Sequence, residues 1–236
     1  MNRKLLGTFA LMGGLMAGHP ASATIMFSEA VGGSPTGVNY ENFNTLTPGS
    51  NVTTLLPSNI LISFSGSAGP VQGGADGLYA APFLSGANGS NFGVQPNGND
   101  LTTYLSPGST SAVSGSAITL TLPVVSLYFG LLWGSIDPYN MLEFFNGSQS
   151  VGTLEGSTVL AGANGNQGLG GTRYVNITST TAFTSVVATS SQYAFEFDNV
   201  AFSEKPIGVP EPLTLSVLGM GLLGLGMIRR QRSRSV

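Results

Sequence analysis

The apolar positions of this chain occur in short runs that alternate with polar positions, and they do not follow helical spacing over long segments. The runs are rich in Val, Ile, Phe, Tyr and Thr, which favour strands, while long charged helix formers are nearly absent. This pattern predicts strands over residues 24–27, 60–64, 93–95, 117–122, 124–133, 141–145, 150–155, 173–177, 185–189 and 194–202.

The connections between these runs support an all-β fold. They are dominated by Gly, Ser, Asn and Asp, because glycine accepts positive φ angles and the short polar side chains satisfy backbone groups in turns. The spacing of the predicted strands favours a β-sandwich, and the absence of a fixed repeat period argues against a solenoid.

Two segments have the pattern of core strands. Both faces of 124–133 are apolar, as in a central strand that is covered on both sides or bent at Gly130. In 194–202, two phenylalanines share one face, while Glu196 and Asp198 share the other. The alternation predicts a half-buried strand with its carboxylates together in solvent.

The first residues have the pattern of a secretory signal peptide. Two basic residues precede an apolar run over 5–17, and small residues at Ala21 and Ala23 form a cleavage site. We therefore predict that signal peptidase cuts after Ala23 and removes residues 1–23. The single histidine, His19, would leave with them.

The last residues combine a proline motif, an apolar segment and an arginine cluster. The apolar segment 213–228 would form a helix of about 24 Å, slightly short for a hydrocarbon core of about 30 Å. The arginines that follow it favour a cytoplasmic C-terminus. We expect one transmembrane helix over 213–228, a linker over 206–212 and a basic cytoplasmic tail over 229–236. The motif residues are Val209, Pro210, Glu211 and Pro212, and the cluster begins with Arg229 and Arg230.

This three-part ending resembles the PEP-CTERM tail, a sorting signal that an exosortase recognises in Gram-negative bacteria with extracellular polysaccharide. The resemblance implies an inner-membrane-anchored precursor that exosortase processes for the cell surface or the biofilm matrix. Segments 39–43, 133–145 and 193–202 resemble exosortase-dependent surface proteins with a jelly-roll-like sandwich ectodomain. They imply such a domain over 24–205, but they imply no reaction.

The composition excludes several function classes. Between the leader and the proline motif, Arg173 and Lys205 are the basic residues, against 11 acidic residues in the chain. Nucleic acids attract clustered Lys and Arg, so we expect no nucleic-acid partner. The chain has no cysteine, and loss of the histidine excludes a Ser-His-Asp triad and most zinc sites. We expect a protein that is not an enzyme, with a structural or adhesive role.

Three sets of residues support alternatives to a purely structural role. A carbohydrate-binding module would use exposed rings, for which the candidates are Tyr40, Tyr79, Phe83, Tyr104 and Tyr139. A glycoside hydrolase would pair Glu143 with Glu196 or Asp198 across neighbouring strands, about 5 to 10 Å apart. Calcium is the one cofactor we consider, because it prefers oxygen ligands at strand ends and loops. Its candidate ligands are Glu29, Glu41, Asp198 and Asn199.

Overall fold

The structure of the protein, a computed structural model, describes residues 23–30, 36–86, 97–108, 116–192 and 195–207. These ranges consist mostly of strands and turns, with one short α-helix, α1 (Gly156–Val159), and one turn of 3₁₀ helix (Leu169–Gly171), which confirms the all-β prediction. The strands are β1 (Ile25–Ala30), β2 (Asn39–Glu41), β3 (Thr54–Leu55), β4 (Leu61–Ser65), β5 (Gly69–Val71), β6 (Phe83–Leu84), β7 (Gly98–Asn99), β8 (Tyr104–Ser106), β9 (Ala117–Gly134), β10 (Asn140–Asn146), β11 (Gln149–Glu155), β12 (Arg173–Ser190) and β13 (Glu196–Ser203).

Several predictions concern residues outside these ranges. They are the leader with Ala21, the strand over 93–95, the proline motif and the whole C-terminal segment from Val209 onward. Within the part of the chain that the structure describes, no helix is long and apolar enough to cross a membrane.

Two pairs of predicted strands are each one long strand. Strand β9 joins 117–122 to 124–133 through Pro123, and β12 joins the predicted strands at 173–177 and 185–189; each has 18 residues. Proline is tolerated inside β9 because the pairing of β9 with β12 shifts register there. The missing backbone N–H therefore falls at an irregular point of the ladder.

The long strands β9 and β12 connect two halves of one antiparallel sheet. In one half, β1 pairs with the beginning of β12 and β13 pairs with the end of β9. In the other half, β10 pairs with the end of β12 and β4 pairs with the beginning of β9. Strands β2 and β8 then extend the first half from β13, while β11 and β3 extend the second.

The apolar faces of both halves contribute to one core, which gives the domain a sandwich-like character. Trp133 is fully buried there and stacks on Phe195, with ring centroids 4.6 Å apart. The prediction that 124–133 contains a core strand is therefore confirmed. Other members include Ile118, Leu120, Phe129, Leu131, Leu142, Phe144, Val175, Ile177 and Phe197.

The prediction that β13 is half-buried is wrong. Glu196 and Asp198 are 0% and 1% exposed, so their face of the strand is covered as completely as the phenylalanine face. The alternation itself is as predicted, because Glu196 and Asp198 pair with Gly134 and Leu132 of β9 and point away from the main core. Burial, and not the direction of the side chains, differs from the expectation.

The second face of β9 and β13 is covered by the chain around β6. Leu84 packs there against Leu132 and Tyr174. Pro82 approaches the sheet so closely that a Cβ on Gly134 would lie 2.8 Å from the Pro82 Cα. The lack of a side chain at Gly134 therefore permits the covering segment to lie directly on the sheet.

Candidate functional site

A cleft of about 760 Å³ opens between the loop 73–81, the end of β7 and the turn after β9. This volume lies within the usual range of small-molecule sites. Its lining combines aromatic rings, carboxyl groups and amides, and the polar and aromatic residues are Asp76, Tyr79, Asn99, Asp100, Asp137, Tyr139, Asn164 and Gln167.

The ring of Tyr79 is supported from behind by Tyr104. The two rings meet edge to face with centroids 6.3 Å apart, and Tyr104 is fully buried. The Tyr104 hydroxyl donates a hydrogen bond to the carbonyl of Gly73, at the start of the loop that forms one wall. This buried residue therefore holds both the ring and the loop in place.

The five rings predicted for sugar binding do not form one surface. Tyr79 and Tyr139 line the cleft, whereas Tyr104 lies behind Tyr79. Tyr40 packs against the cluster of Leu84, Leu132 and Tyr174, and Phe83 belongs to β6. The structure thus brings two of the candidates to one site.

A turn after β9 positions Asp137 and Tyr139. The Asn140 side-chain oxygen accepts hydrogen bonds from the Asp137 backbone N–H at 2.9 Å and from the indole N–H of Trp133 at 3.3 Å. Burial raises the pKa of Asp137, and the hydroxyl of Tyr139 opposes this effect by hydrogen bonding to the carboxylate. The two hydrogen bonds of Asn140 connect this turn to the buried Trp133.

The loop after α1 brings amide side chains to the same cleft. Gly165 has φ of 68° and donates its N–H to the carbonyl of Ile136 at 3.0 Å. A Cβ at Gly165 would lie 2.7 Å from Asp137 Oδ2, so this close approach requires glycine. The contact places Asn164 and Gln167 on the wall beside Asp137.

Glu196 lies behind this wall. Its Oε1 accepts the backbone N–H of Ala80 at 3.2 Å, while Oε2 has no hydrogen-bond partner of ordinary geometry among the described residues. Burial raises the pKa of Glu196 to about 8, an effect opposed by the Ala80 N–H and Ser135 and increased slightly by Asp137. Glu196 therefore carries a proton at neutral pH.

Asp198 and Asp100 form a pair of buried carboxyl groups. Asp100 Oδ1 accepts hydrogen bonds from the backbone N–H and the hydroxyl of Thr102, at 2.8 and 2.5 Å. Burial raises the pKa of Asp198 well above its ordinary value, and the charge of the neighbouring Asp100 carboxylate raises it further. Like charges oppose each other in a buried site, so Asp198 favours its protonated form.

The four predicted calcium ligands do not come together as one set. Glu29 is paired with Arg173 on β12, with 3.7 Å between Oε2 and Nε. Both carboxylate oxygens of Glu41 accept backbone N–H groups, which fixes the chain around Phe43. In the described ranges, no group of three or more His, Asp and Glu side chains has an arrangement suited to a metal ion.

The predicted meeting of Glu143 with Glu196 or Asp198 across neighbouring strands is wrong. Glu143 belongs to β10, which is separated from β13 by β12 and β9. Its carboxylate accepts a hydrogen bond from the Ser150 hydroxyl at 2.7 Å, on the other half of the sheet. The carboxylates that do lie near them are Asp137 for Glu196, and Asp100 and Glu41 for Asp198.

Three acidic residues of the cleft were not among the sequence candidates. Asp76 and Asp137 lie beside a glycine and a proline in connections between predicted strands, and Asp100 lies in a Gly- and Asn-rich stretch without strand periodicity. They come from three separate loops, so no spacing along the chain relates them. Their one sequence signal is that Asp is scarce in this chain and that each of these three follows or precedes a turn residue.

No basic side chain of the described ranges lines the cleft. The Arg173 guanidinium donates to the carbonyls of Leu169, Gly170 and Thr172 in addition to its contact with Glu29. Lys205 is exposed in the segment after β13. The carboxyl groups of the cleft therefore have no cationic side chain among the residues that line it.

A comparison of the chain with protein-family models found no match, and a comparison with curated proteins also found none.

Proposed function

We propose that this protein is exported to the cell surface or extracellular matrix, where its β domain has an adhesive role by binding saccharide in the cleft. The observation that carries the binding role is the placement of two tyrosine rings beside carboxyl and amide groups in one cavity. Aromatic faces stack on sugar rings, while carboxylates and amides bind hydroxyl groups.

For residues 24–205, the proposed architecture is a jelly-roll-like β-sandwich. It is supported by the long strands β9 and β12, each of which pairs with different neighbours in its two halves. Such a scaffold can be rigid while its loops carry the binding residues. The cleft is built from loops on this scaffold, in agreement with a binding role.

The proposal for export depends on the two ends of the chain. Signal peptidase would remove residues 1–23, the helix 213–228 would hold the precursor in the inner membrane, and exosortase would act at the motif 209–212. The support is the order of proline motif, apolar segment and arginines after a domain with few charges.

The binding role is tested with the full-length chain, purified in a neutral detergent and passed over insoluble saccharides, including the polysaccharide of its host. We expect retention that is lost in Tyr79→Ala and Tyr139→Ala, because the stacking surface is removed. Tyr139→Phe keeps the ring and should retain most binding, and Val125→Ala alters an exposed residue elsewhere. Equal retention of all variants, or no retention of the wild-type chain on any saccharide, would refute the binding role.

Sorting is tested in the host by replacing Pro210 and Pro212 with alanine and following the precursor by immunoblot. We expect uncleaved protein to accumulate in the membrane fraction, because the extended motif required for recognition is lost. Pro206→Ala is the matched control, since it removes a nearby proline outside the motif. Normal processing of the motif variant would contradict the sorting proposal.

A further inference from the structure

We infer that the cleft selects a cationic saccharide, namely a polymer of amino sugars with free protonated amines. This inference rests on the saccharide-binding role proposed above and adds the chemical class of the ligand. It is carried by the arrangement of charges around the cleft, together with the rings and amides that line it.

The first argument is the unbalanced negative charge of the walls. Asp76 is exposed at the rim, and Asp100 and Asp137 belong to the lining at greater depth. No Lys or Arg is among the lining residues. A cationic ligand would be attracted to this site, whereas an anionic sugar would be repelled by it.

The second argument is the unpartnered carboxyl group behind the wall. Glu196 is fully buried, and its Oε2 has no hydrogen-bond partner of ordinary geometry among the described residues. Its other oxygen is bound to Ala80, and it interacts electrostatically with Asp137; both of these residues line the cleft. A cation bound at Asp137 would be close enough to interact with Glu196 as well and to favour the ionised form of that carboxyl group.

The third argument concerns the size and chemistry of the cleft. A bare metal ion does not require about 760 Å³, and no suitable group of three carboxylates is found in the described ranges. An amino sugar matches the space and the mixed lining. Its ring stacks on Tyr79 or Tyr139, its hydroxyls reach Asn99, Asn164 or Gln167, and its ammonium pairs with a carboxylate.

Acetylation of the amine provides a sharp comparison. It leaves the sugar ring and its hydroxyls unchanged, but it removes the positive charge and adds an acetyl group. The protein should therefore distinguish a glucosamine polymer from its fully N-acetylated form, although both offer the same surface for stacking on tyrosine.

The experiment measures binding of the full-length chain in neutral detergent to soluble glucosamine oligomers at mildly acidic pH, where the amines are protonated. The comparison ligands are the N-acetylated oligomers, a uronic-acid oligomer and oligolysine. We expect the glucosamine oligomers to bind at least about tenfold more tightly than each of the others. We also expect their affinity to fall as salt is added.

Single substitutions test which carboxylates of the cleft give the preference for a cationic sugar. Asp76→Asn should weaken binding of the glucosamine oligomers about two- to fivefold, as expected for an exposed ion pair. Asp137→Asn should weaken it about tenfold or more, because that carboxylate is less exposed. Glu204→Gln removes the same charge from an exposed site after β13 and should have no effect.

Each outcome separates this inference from the proposed function. Equal binding of acetylated and free oligomers, with loss in Tyr79→Ala, would overturn cationic selectivity and keep saccharide binding. Binding of oligolysine as tight as that of glucosamine would show a cation site without sugar recognition and overturn the inference. Failure of every oligomer to bind would overturn this inference, whereas the saccharide-binding role is decided by retention on the wider set of polysaccharides above. An unchanged affinity in Asp76→Asn and Asp137→Asn would exclude the cleft as the site and overturn the inference.

Discussion

The buried carboxyl group of Glu196 predicts that this domain becomes less stable as the pH rises. Its pKa is about 8 in the folded protein, compared with 4.5 for an ordinary glutamic acid. Between these values the folded state keeps a proton that the unfolded state has lost, so the free energy of unfolding falls with increasing pH. Above about pH 8 both states are ionised and this contribution is constant.

The magnitude follows from the difference between the two pKa values. At about 1.4 kcal/mol per pH unit, a difference of about 3.5 corresponds to about 5 kcal/mol of lost stability. Asp198 and Asp137 also have raised pKa values and contribute with the same sign. Replacing Glu196 with glutamine should remove the contribution of Glu196, because the amide stays neutral and its NH₂ group can donate to the Ser135 hydroxyl.

The assay is urea unfolding of residues 24–205, followed by fluorescence of the single tryptophan, which is buried in the core. Measurements at several pH values from about 5 to 9 should show a falling stability for the wild type and a much flatter profile for Glu196→Gln. Glu204→Gln, which alters an exposed carboxylate, should follow the wild type. A wild-type stability that stays level over this range, or an equal slope in Glu196→Gln, would refute the reasoning.

Three other predictions concern packing, the turn and calcium. Gly134→Ala should lower the free energy of unfolding by about 1–3 kcal/mol, because its Cβ would clash with Pro82, whereas Gly74→Ala has room and should be nearly neutral. Asn140→Ala should cost about 2–4 kcal/mol by leaving the Trp133 indole N–H and a backbone N–H without their acceptor, as chemical unfolding would show. Calcium should leave the thermal unfolding midpoint unchanged relative to a chelator; a clear rise would show that carboxylates do assemble around the ion.

The sequence did not predict where the candidate site lies, although it identified two of the rings that line it. Tyr79 and Tyr139 were among the candidate rings, yet the same criterion also selected Tyr104, which is buried. An aromatic residue beside turn residues has the same local pattern whether it lines a cleft or supports one from behind. The distinction depends on which segments pack against the ring.

Strand β13 shows the limit of local patterns most clearly. Alternation along one strand placed Glu196 and Asp198 on the same face, because successive side chains point to opposite sides of a sheet. Their polarity predicted solvent, but the chain around β6 covers that face. Whether a carboxylate meets water or protein is decided by a segment more than a hundred residues away along the chain.

The sequence by itself determined the all-β class and the approximate positions of the main strands, since strand alternation and turn chemistry are local properties of the backbone. Tertiary structure alone decided that β9 and β12 are continuous, that two acidic residues of β13 are buried, and that Asp76, Asp100 and Asp137 share a cleft. These features depend on contacts between segments remote in the chain, and the free energy of burial and charge interaction is set only once those segments have met.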